Sequence, residues 1–195
     1  MNFSKNYNYA LSDPNEQIPD PKNFEYYSTH DFHKLKHNLT VRKSSSLSIL
    51  HTNICSLQGN FENLELLINN LDFQFDIICL TETWQTESST FTPGYLEGYQ
   101  KYEGIYGKSK NGGCGFYIKE SISYIIRDEW NKKHKNNDSE FETCWIEIVN
   151  TKGENVIVGL TYRHPRKKDK DFLNYFQSIL NKVLKEKKER NNSHR

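Results

Sequence analysis

The sequence has few of the residues, and none of the long apolar stretches, that would place it in a membrane or in a disulfide-rich fold. Its 195 residues include 4 cysteines, 5 prolines and 1 methionine, and only 35% are hydrophobic. The longest apolar stretches, such as Ile77–Leu80, fall well short of the ~18 residues that a membrane-spanning helix needs. The N-terminus, MNFSKNYNYA, lacks the apolar segment of a secretory signal. We therefore expect an intracellular protein, cytoplasmic or nuclear, that is neither secreted nor membrane-bound.

The four cysteines are too widely spaced to indicate a zinc site or a disulfide framework. They form no Cys-x-x-Cys pair and have no histidine at zinc-ligand spacing. Three of them, Cys79, Cys114 and Cys144, lie in apolar, strand-like segments, where a free cysteine packs as a small hydrophobic residue. The sequence therefore favours reduced, buried thiols.

Charge is balanced over the whole chain but not along it. The chain has 26 Lys and Arg against 25 Asp and Glu. The segment from Pro165 to the end contains ten basic and four acidic residues, so the segment before Pro165 is slightly acidic. A basic end is typical of nucleic-acid contact and also of the solvated face of a terminal helix, and the charges alone leave both open.

Residues 1–45 differ in composition from the remainder. They are rich in Asn, Asp and Pro and show little periodicity, so we expect an extended or largely disordered polar lead-in. Within it, Ser28–Leu35 predicts a short helix with a Ser or Thr cap. The serines at 44–46 mark a boundary, after which a folded domain is expected over residues 46–184, since the chain is 13% aromatic.

The start of this domain predicts a strand, a helix and a second strand. Alternating apolar residues from Leu47 predict a strand that ends at Asn53, and apolar residues at helical spacing predict a helix over Asn60–Leu71. The apolar run Asp76–Thr81 predicts a strand covered on both faces. By the handedness rule the two strands are expected to lie parallel in one sheet.

Further strands and one long helix complete the pattern, so the expected fold class is mixed α/β. Strands are expected at 115–118, 122–127, 143–149 and 156–162, with a polar loop at 131–140 and a turn at 152–154. Apolar residues at helical spacing over Phe172–Leu184 predict a terminal helix, followed by a basic tail over residues 185–195. The three tryptophans, Trp84, Trp130 and Trp145, are expected in the core or at its edge.

Three predicted strands end in polar residues that could line a ligand site. Asn53 follows the first strand, Glu82 the second and Tyr162 the last, and the carboxyl ends of sheet strands line ligand crevices in α/β proteins. A carboxylate is a natural Mg²⁺ ligand, and amide and phenol groups can bind phosphate oxygens. Each residue also has a simpler interpretation: a turn residue, a solvated strand end and an aromatic at the edge of the core.

Taken together, five segments resemble, in order, motifs of the endonuclease/exonuclease/phosphatase superfamily. These segments are Ser48–Leu57, Phe75–Trp84, Gly112–Ile118, Glu142–Glu147 and Val158–Pro165. The sequences of these segments most resemble the endonuclease domain encoded by non-LTR retrotransposons, and the resemblance covers roughly residues 26–184.

This resemblance implies the N-terminal half of a four-layered α/β sandwich of the DNase type. It implies that Glu82 coordinates Mg²⁺ or Mn²⁺, that Asn53 helps to hold the scissile phosphate, and that Tyr162 supplies a hydroxyl near it. The implied partner is the phosphate backbone of DNA, which such an enzyme nicks. A reverse transcriptase domain is implied on the same full-length polypeptide.

The sequence also departs from the family. The family's Gly-Asp-Phe-Asn segment and its late Asp-His pair, which includes the general base, do not occur. Cys114 stands where the family commonly has Gly and His164 where it commonly has Pro, and neither change is expected to matter. We therefore expect a truncated, inactive half of a catalytic domain that exposes the apolar face of its sheet and of the terminal helix.

Two functions are compatible with this pattern. One is part of a Mg²⁺-dependent DNA endonuclease. The other is a non-catalytic nucleic-acid-binding module or decayed transposon product, whose binding through the basic end would weaken steeply with salt. Because lipid and inositol phosphatases share the fold, the phosphoester substrate stays open on fold alone.

Overall fold

The computed structural model describes residues 28–41, 47–100, 103–107, 111–131, 141–150, 155–164 and 169–193. Most of the expected lead-in, nearly all of the expected loop at 131–140 and the expected turn at 152–154 lie outside these residues. The chain divides into two compact units between residues 40 and 41. Helix α1 spans Thr29–Val41, with all but its last residue in the first unit, and the Ser28 hydroxyl caps it by accepting a hydrogen bond from the Asp31 backbone N–H. The short helix expected near Ser28–Leu35 is thus present.

The first sheet of the second unit has four strands. They are β1 (Ile49–Asn53), β2 (Ile77–Thr81), β3 (Glu103–Ile105) and β4 (Cys114–Ile118), in the order β1-β2-β4-β3. Strands β1 and β2 are parallel, with Asn53 opposite Thr81, as the handedness rule predicted. The other pairs are antiparallel. Strand β3 was not expected, because three residues are too few for a periodic pattern.

Helix α2 (Leu57–Leu71) connects β1 to β2 and begins three residues earlier than expected. Its start is set by Ser56, whose hydroxyl accepts a hydrogen bond from the Gly59 backbone at 3.0 Å. The helix ends at Asp72, which is in the left-handed conformation with φ 46°. Leu64 and Leu71 of the predicted apolar face are buried, but Leu67 is 37% exposed, so that face is narrower than the spacing indicated.

The second sheet has three antiparallel strands. They are β5 (Tyr124–Ile126), β6 (Phe141–Ile148) and β7 (Val156–Arg163), with β6 in the centre. All eight residues of β6 are buried. Helix α3 (Asp169–Ser193) follows and continues through most of the segment expected to be a tail.

The two sheets face each other across one apolar core. It contains residues from both: Ile77, Cys79, Ile105, Cys114, Phe116, Ile118, Cys144, Ile146, Ile148, Val158 and Leu160. Phe61 of α2 contacts Tyr117 on the outer face of the first sheet, and Ile179 of α3 packs with Trp130 and Trp145 on the outside of the second. The layers therefore run helix, sheet, sheet, helix, which confirms the expected fold class.

The expectation of an exposed apolar sheet face is wrong for the central strands. Every residue of β2, β4 and β6 is buried, because each sheet covers the inner face of the other and helices α2 and α3 pack on the outer faces. Exposed apolar side chains occur on the edge strands, at Ile49, Ile125, Ile126 and Val156, and on α3, at Leu173, Leu180 and Leu184. Trp130 and Trp145 are buried as expected, whereas Trp84 is 37% exposed.

A buried cluster of charges joins α3 to the second sheet. Arg127 follows β5 and donates hydrogen bonds to Glu147 of β6 at 2.6 Å and to Glu186 of α3 at 2.8 Å. Its guanidinium lies 3.6 Å from the centre of the Trp130 ring. These contacts anchor the part of α3 that extends past its apolar stripe.

The four cysteines are free, and Cys79, Cys114 and Cys144 are buried, in agreement with the prediction of reduced core thiols. Among the helices of the described part of the chain, none is both long and apolar enough to span a membrane.

Candidate active site

The carboxyl ends of β1 and β2 bring Asn53 and Glu82 to the same place. The Cys55 Sγ atom lies between their side chains, 3.2 Å from Asn53 Oδ1 and 3.6 Å from Glu82 Oε2. The Cys55 backbone N–H also donates to Asn53 Oδ1 at 3.2 Å. Because β1 and β2 are parallel neighbours, their carboxyl ends lie at the same edge of the sheet. Asn53 and Glu82 therefore both contact the Cys55 thiol.

The backbone around these residues is unusual. Cys55, Ser56, Glu82 and Trp84 all have positive φ angles, between 47° and 92°, although none is glycine. The two turns hold each other, since Ser56 N–H donates to the Glu82 carbonyl and Leu57 N–H to the Thr83 carbonyl, each at 2.9 Å. Such conformations cost free energy and persist where surrounding contacts enforce them, which is typical of functional sites.

Tyr162 comes to the same site from the other sheet. It lies near the end of β7, and its phenol is close enough to the Glu82 carboxylate for the two groups to interact. Burial raises the pKa of the Tyr162 phenol, and the Glu82 carboxylate raises it further, so the hydroxyl keeps its proton. The structure thus brings together all three candidate residues, Asn53, Glu82 and Tyr162.

Two further ionisable residues stand beside this group and were missed as site residues. Glu142 lies opposite Tyr162 in the β6–β7 pair, is 1% exposed, and its Oε1 lies 2.9 Å from His164 Nε2. The His164 ring contacts the Tyr162 ring edge-on, with the centroids 5.0 Å apart. Glu142 could have been identified from the sequence, because it is a charged residue within the apolar run of β6. His164 could be identified only by its position two residues after Tyr162, and its replacement of the family's common Pro was expected to have no effect.

The donor atoms fit a hard divalent cation in kind. Glu82 offers a carboxylate, and Mg²⁺ in proteins is commonly held by one or two carboxylates, with water and substrate oxygens completing its shell. Loss of hydration and the Glu82 carboxylate raise the pKa of the Cys55 thiol. Within the described residues, no three His, Cys, Asp or Glu side chains cluster as a metal site. Any metal here would therefore rest mainly on Glu82.

Two solved structures resemble this chain in part. AP endonuclease LMAP of Leishmania major is 16% identical, with a TM-score of 0.46, over 66% of this chain and 44% of that one. The APE2 catalytic domain of Xenopus laevis is 18% identical, with a TM-score of 0.42, over 66% of this chain and 49% of that one. The chain therefore spans less than half the length of either structure.

Other comparisons are negative. No protein-family model matches the chain. No curated protein matches it. Neither of the two structures bears on a retrotransposon origin.

Proposed function

We propose that this chain contributes the Glu82-bearing part of a metal-dependent phosphodiesterase site that acts on DNA. The observation that carries the proposal is the meeting of Asn53, Glu82 and Tyr162 at one point, from three strands of two sheets. These residues are far apart in sequence, and a carboxylate, an amide and a phenol are the groups that bind a hard cation and a phosphate together.

Each side chain has a role that its contacts suggest. A bound Mg²⁺ or Mn²⁺ would stabilise the charge that develops on the phosphate. Glu82 would hold that cation. The Asn53 Oδ1 atom already accepts the Cys55 N–H, which leaves the Asn53 amide NH₂ to donate to a phosphate oxygen. Tyr162 keeps its proton and so acts as a hydrogen-bond donor at the site.

The more specific proposal is a retrotransposon endonuclease that nicks its DNA target, with a reverse transcriptase on the same full-length polypeptide. It is supported by the five motifs in order along the chain. The site as described has no general base of the kind that the family supplies from its Asp-His pair. We therefore expect strong nicking only where further residues complete the site.

A second candidate function is nucleic-acid binding without catalysis. The observation that favours it is the exposed basic and polar surface of α3, where Lys182 and Lys185 line an open depression with Asn174, Gln177, Ser178 and Asn181. Binding of this kind would depend on phosphate charge, so the affinity would fall steeply with salt.

Metal binding and plasmid nicking separate the two candidates. Mn²⁺ titration of the chain, followed by electron paramagnetic resonance of the free ion, tests the site without requiring turnover. Glu82→Gln should abolish specific Mn²⁺ binding, whereas Glu87→Gln, an exposed carboxylate a few residues away, should leave it unchanged. Nicking of supercoiled plasmid with Mg²⁺, if present, should follow the same pattern. Equal Mn²⁺ binding by the chain and by Glu82→Gln would overturn the proposed function, and salt-sensitive DNA binding without Mn²⁺ binding would favour the second candidate.

A further inference from the structure

The carboxyl group of Glu142 is buried and has an incomplete set of hydrogen-bond partners. One oxygen, Oε1, lies 2.9 Å from His164 Nε2, while Oε2 is buried and has no hydrogen-bond partner. Burying a carboxylate in this way costs free energy that an apolar residue would not cost. Glu142 is nevertheless placed beside the candidate site rather than in a remote part of the core.

One line of contacts leads from Glu142 to Glu82 through side chains. Glu142 fixes one edge of the His164 ring, and the Tyr162 ring lies edge-on to His164 at 5.0 Å. The Tyr162 phenol in turn interacts with the Glu82 carboxylate. The orientation of the phenol therefore depends on a histidine that is itself held by a buried acid.

A second line reaches the same segment through the backbone. Gly112 packs so closely on Glu142 that an added Cβ would lie 2.7 Å from Oε1. The Gly112 carbonyl accepts the Trp84 N–H at 2.8 Å, and the Gly113 carbonyl accepts the Thr83 N–H at 3.3 Å. These are the two residues directly after Glu82, whose own φ of 53° requires support from its neighbours.

We propose that Glu142 and His164 are positioning residues, which hold the Tyr162 hydroxyl and the Glu82 turn in the arrangement that the metal site needs. This inference rests on the proposed function for its purpose, but the coupling between His164 and Tyr162 is testable without metal or DNA. Neither residue is assigned contact with substrate. Their effect on Glu82 passes through Tyr162 and through the glycine turn at Gly112–Gly113.

Two substitutions at His164 separate positioning from bulk. His164→Gln keeps a donor near the place of Nε2, while His164→Leu has a similar size and no donor. We expect His164→Leu to weaken Mn²⁺ binding by about 10-fold, in the range found for residues that orient metal ligands, and His164→Gln to keep most of it. Glu142→Gln, which keeps an acceptor for His164, should behave like His164→Gln.

The metal-free readout is the NMR signal of Tyr162 in protein labelled at the tyrosine Cζ position. Tyr162→Phe assigns the signal, and Glu82→Gln should shift it by removing the carboxylate that interacts with the phenol. His164→Leu should shift it as well. The matched control is Glu147→Gln, a buried acid on the same strand that pairs with Arg127 instead, and it should leave the Tyr162 signal in place.

A Tyr162 signal that His164→Leu leaves unmoved, in a variant whose circular dichroism shows it to be folded, would overturn the inference. So would a His164→Gln variant that loses as much Mn²⁺ affinity as His164→Leu. If His164→Leu does not fold, the inference is decided by His164→Gln and Glu142→Gln, which must keep the Tyr162 signal. Absence of Mn²⁺ binding by the unsubstituted chain would count against the proposed function, while the Tyr162 signal still decides the coupling.

Discussion

The phenol of Tyr162, on a strand of one sheet, interacts with the carboxylate of Glu82, at the end of a strand of the other, and burial and this carboxylate together raise the pKa of the phenol. The two residues are 80 positions apart in the sequence. Because their interaction crosses between the sheets, it reports on the relative placement of the sheets as well as on the site.

Loss of the Tyr162 hydroxyl should therefore weaken metal binding without abolishing it. In Tyr162→Phe the Glu82 carboxylate remains but loses the hydroxyl that interacts with it, so Mn²⁺ affinity should fall by about 10-fold, against full loss in Glu82→Gln. Titration of both variants with Mn²⁺ measures this. An affinity equal to that of the unsubstituted chain would show that the hydroxyl does not orient Glu82.

Arg127→Met should destabilise the fold. The substitution leaves Glu147, which is 2% exposed, without its charged partner, and removes the contact to Glu186 on α3. Breaking a buried ion pair on one side costs about 3 kcal/mol, so the urea midpoint should fall clearly. The double variant Arg127→Met with Glu147→Met should recover much of the loss, because no charge is then left buried. A single variant as stable as the starting chain would contradict this account.

Gly113→Ala should destabilise the turn that supports Glu82. Gly113 has φ 88°, and an added Cβ would lie 2.3 Å from Thr83 Oγ1. Strain of this kind costs about 1–3 kcal/mol. Because Thr83 Oγ1 has no hydrogen-bond partner, Thr83→Ala alone should cost little, and the double variant should be more stable than the sum of the single effects. Strict additivity in a thermal-melt cycle would mean that the two side chains do not clash.

Stability should fall at alkaline pH because of the buried thiols. Burial raises the pKa of Cys79 from 9.0 to about 12. Between these values the unfolded chain loses the thiol proton while the folded chain keeps it, so unfolding becomes more favourable as pH rises, by about 1.4 kcal/mol per pH unit for one thiol. Below pH 9 this contribution is fully present. Urea unfolding from pH 8 to 11 should show the decline, with a smaller slope in Cys79→Ala.

The helices and strands with a regular spacing of apolar residues could be predicted from the sequence alone. The β1–α2–β2 unit, the central strands and α3 follow from the spacing of apolar residues, because burial of one face leaves a pattern of period 2 or 3.6. The parallel pairing of β1 and β2 follows from the handedness of such connections. Asn53, Glu82 and Tyr162 were identifiable because each ends a predicted strand.

How the two sheets face each other follows from the tertiary packing alone, and this packing covers the inner faces of β2, β4 and β6. It also decided that Glu142 and His164 belong beside the site. Pairing between β6 and β7 sets Glu142 opposite Tyr162, and the sheet-to-sheet packing sets Tyr162 against Glu82. Such contacts join residues that are far apart in the sequence, and the local spacing of residues does not predict contacts between two sheets.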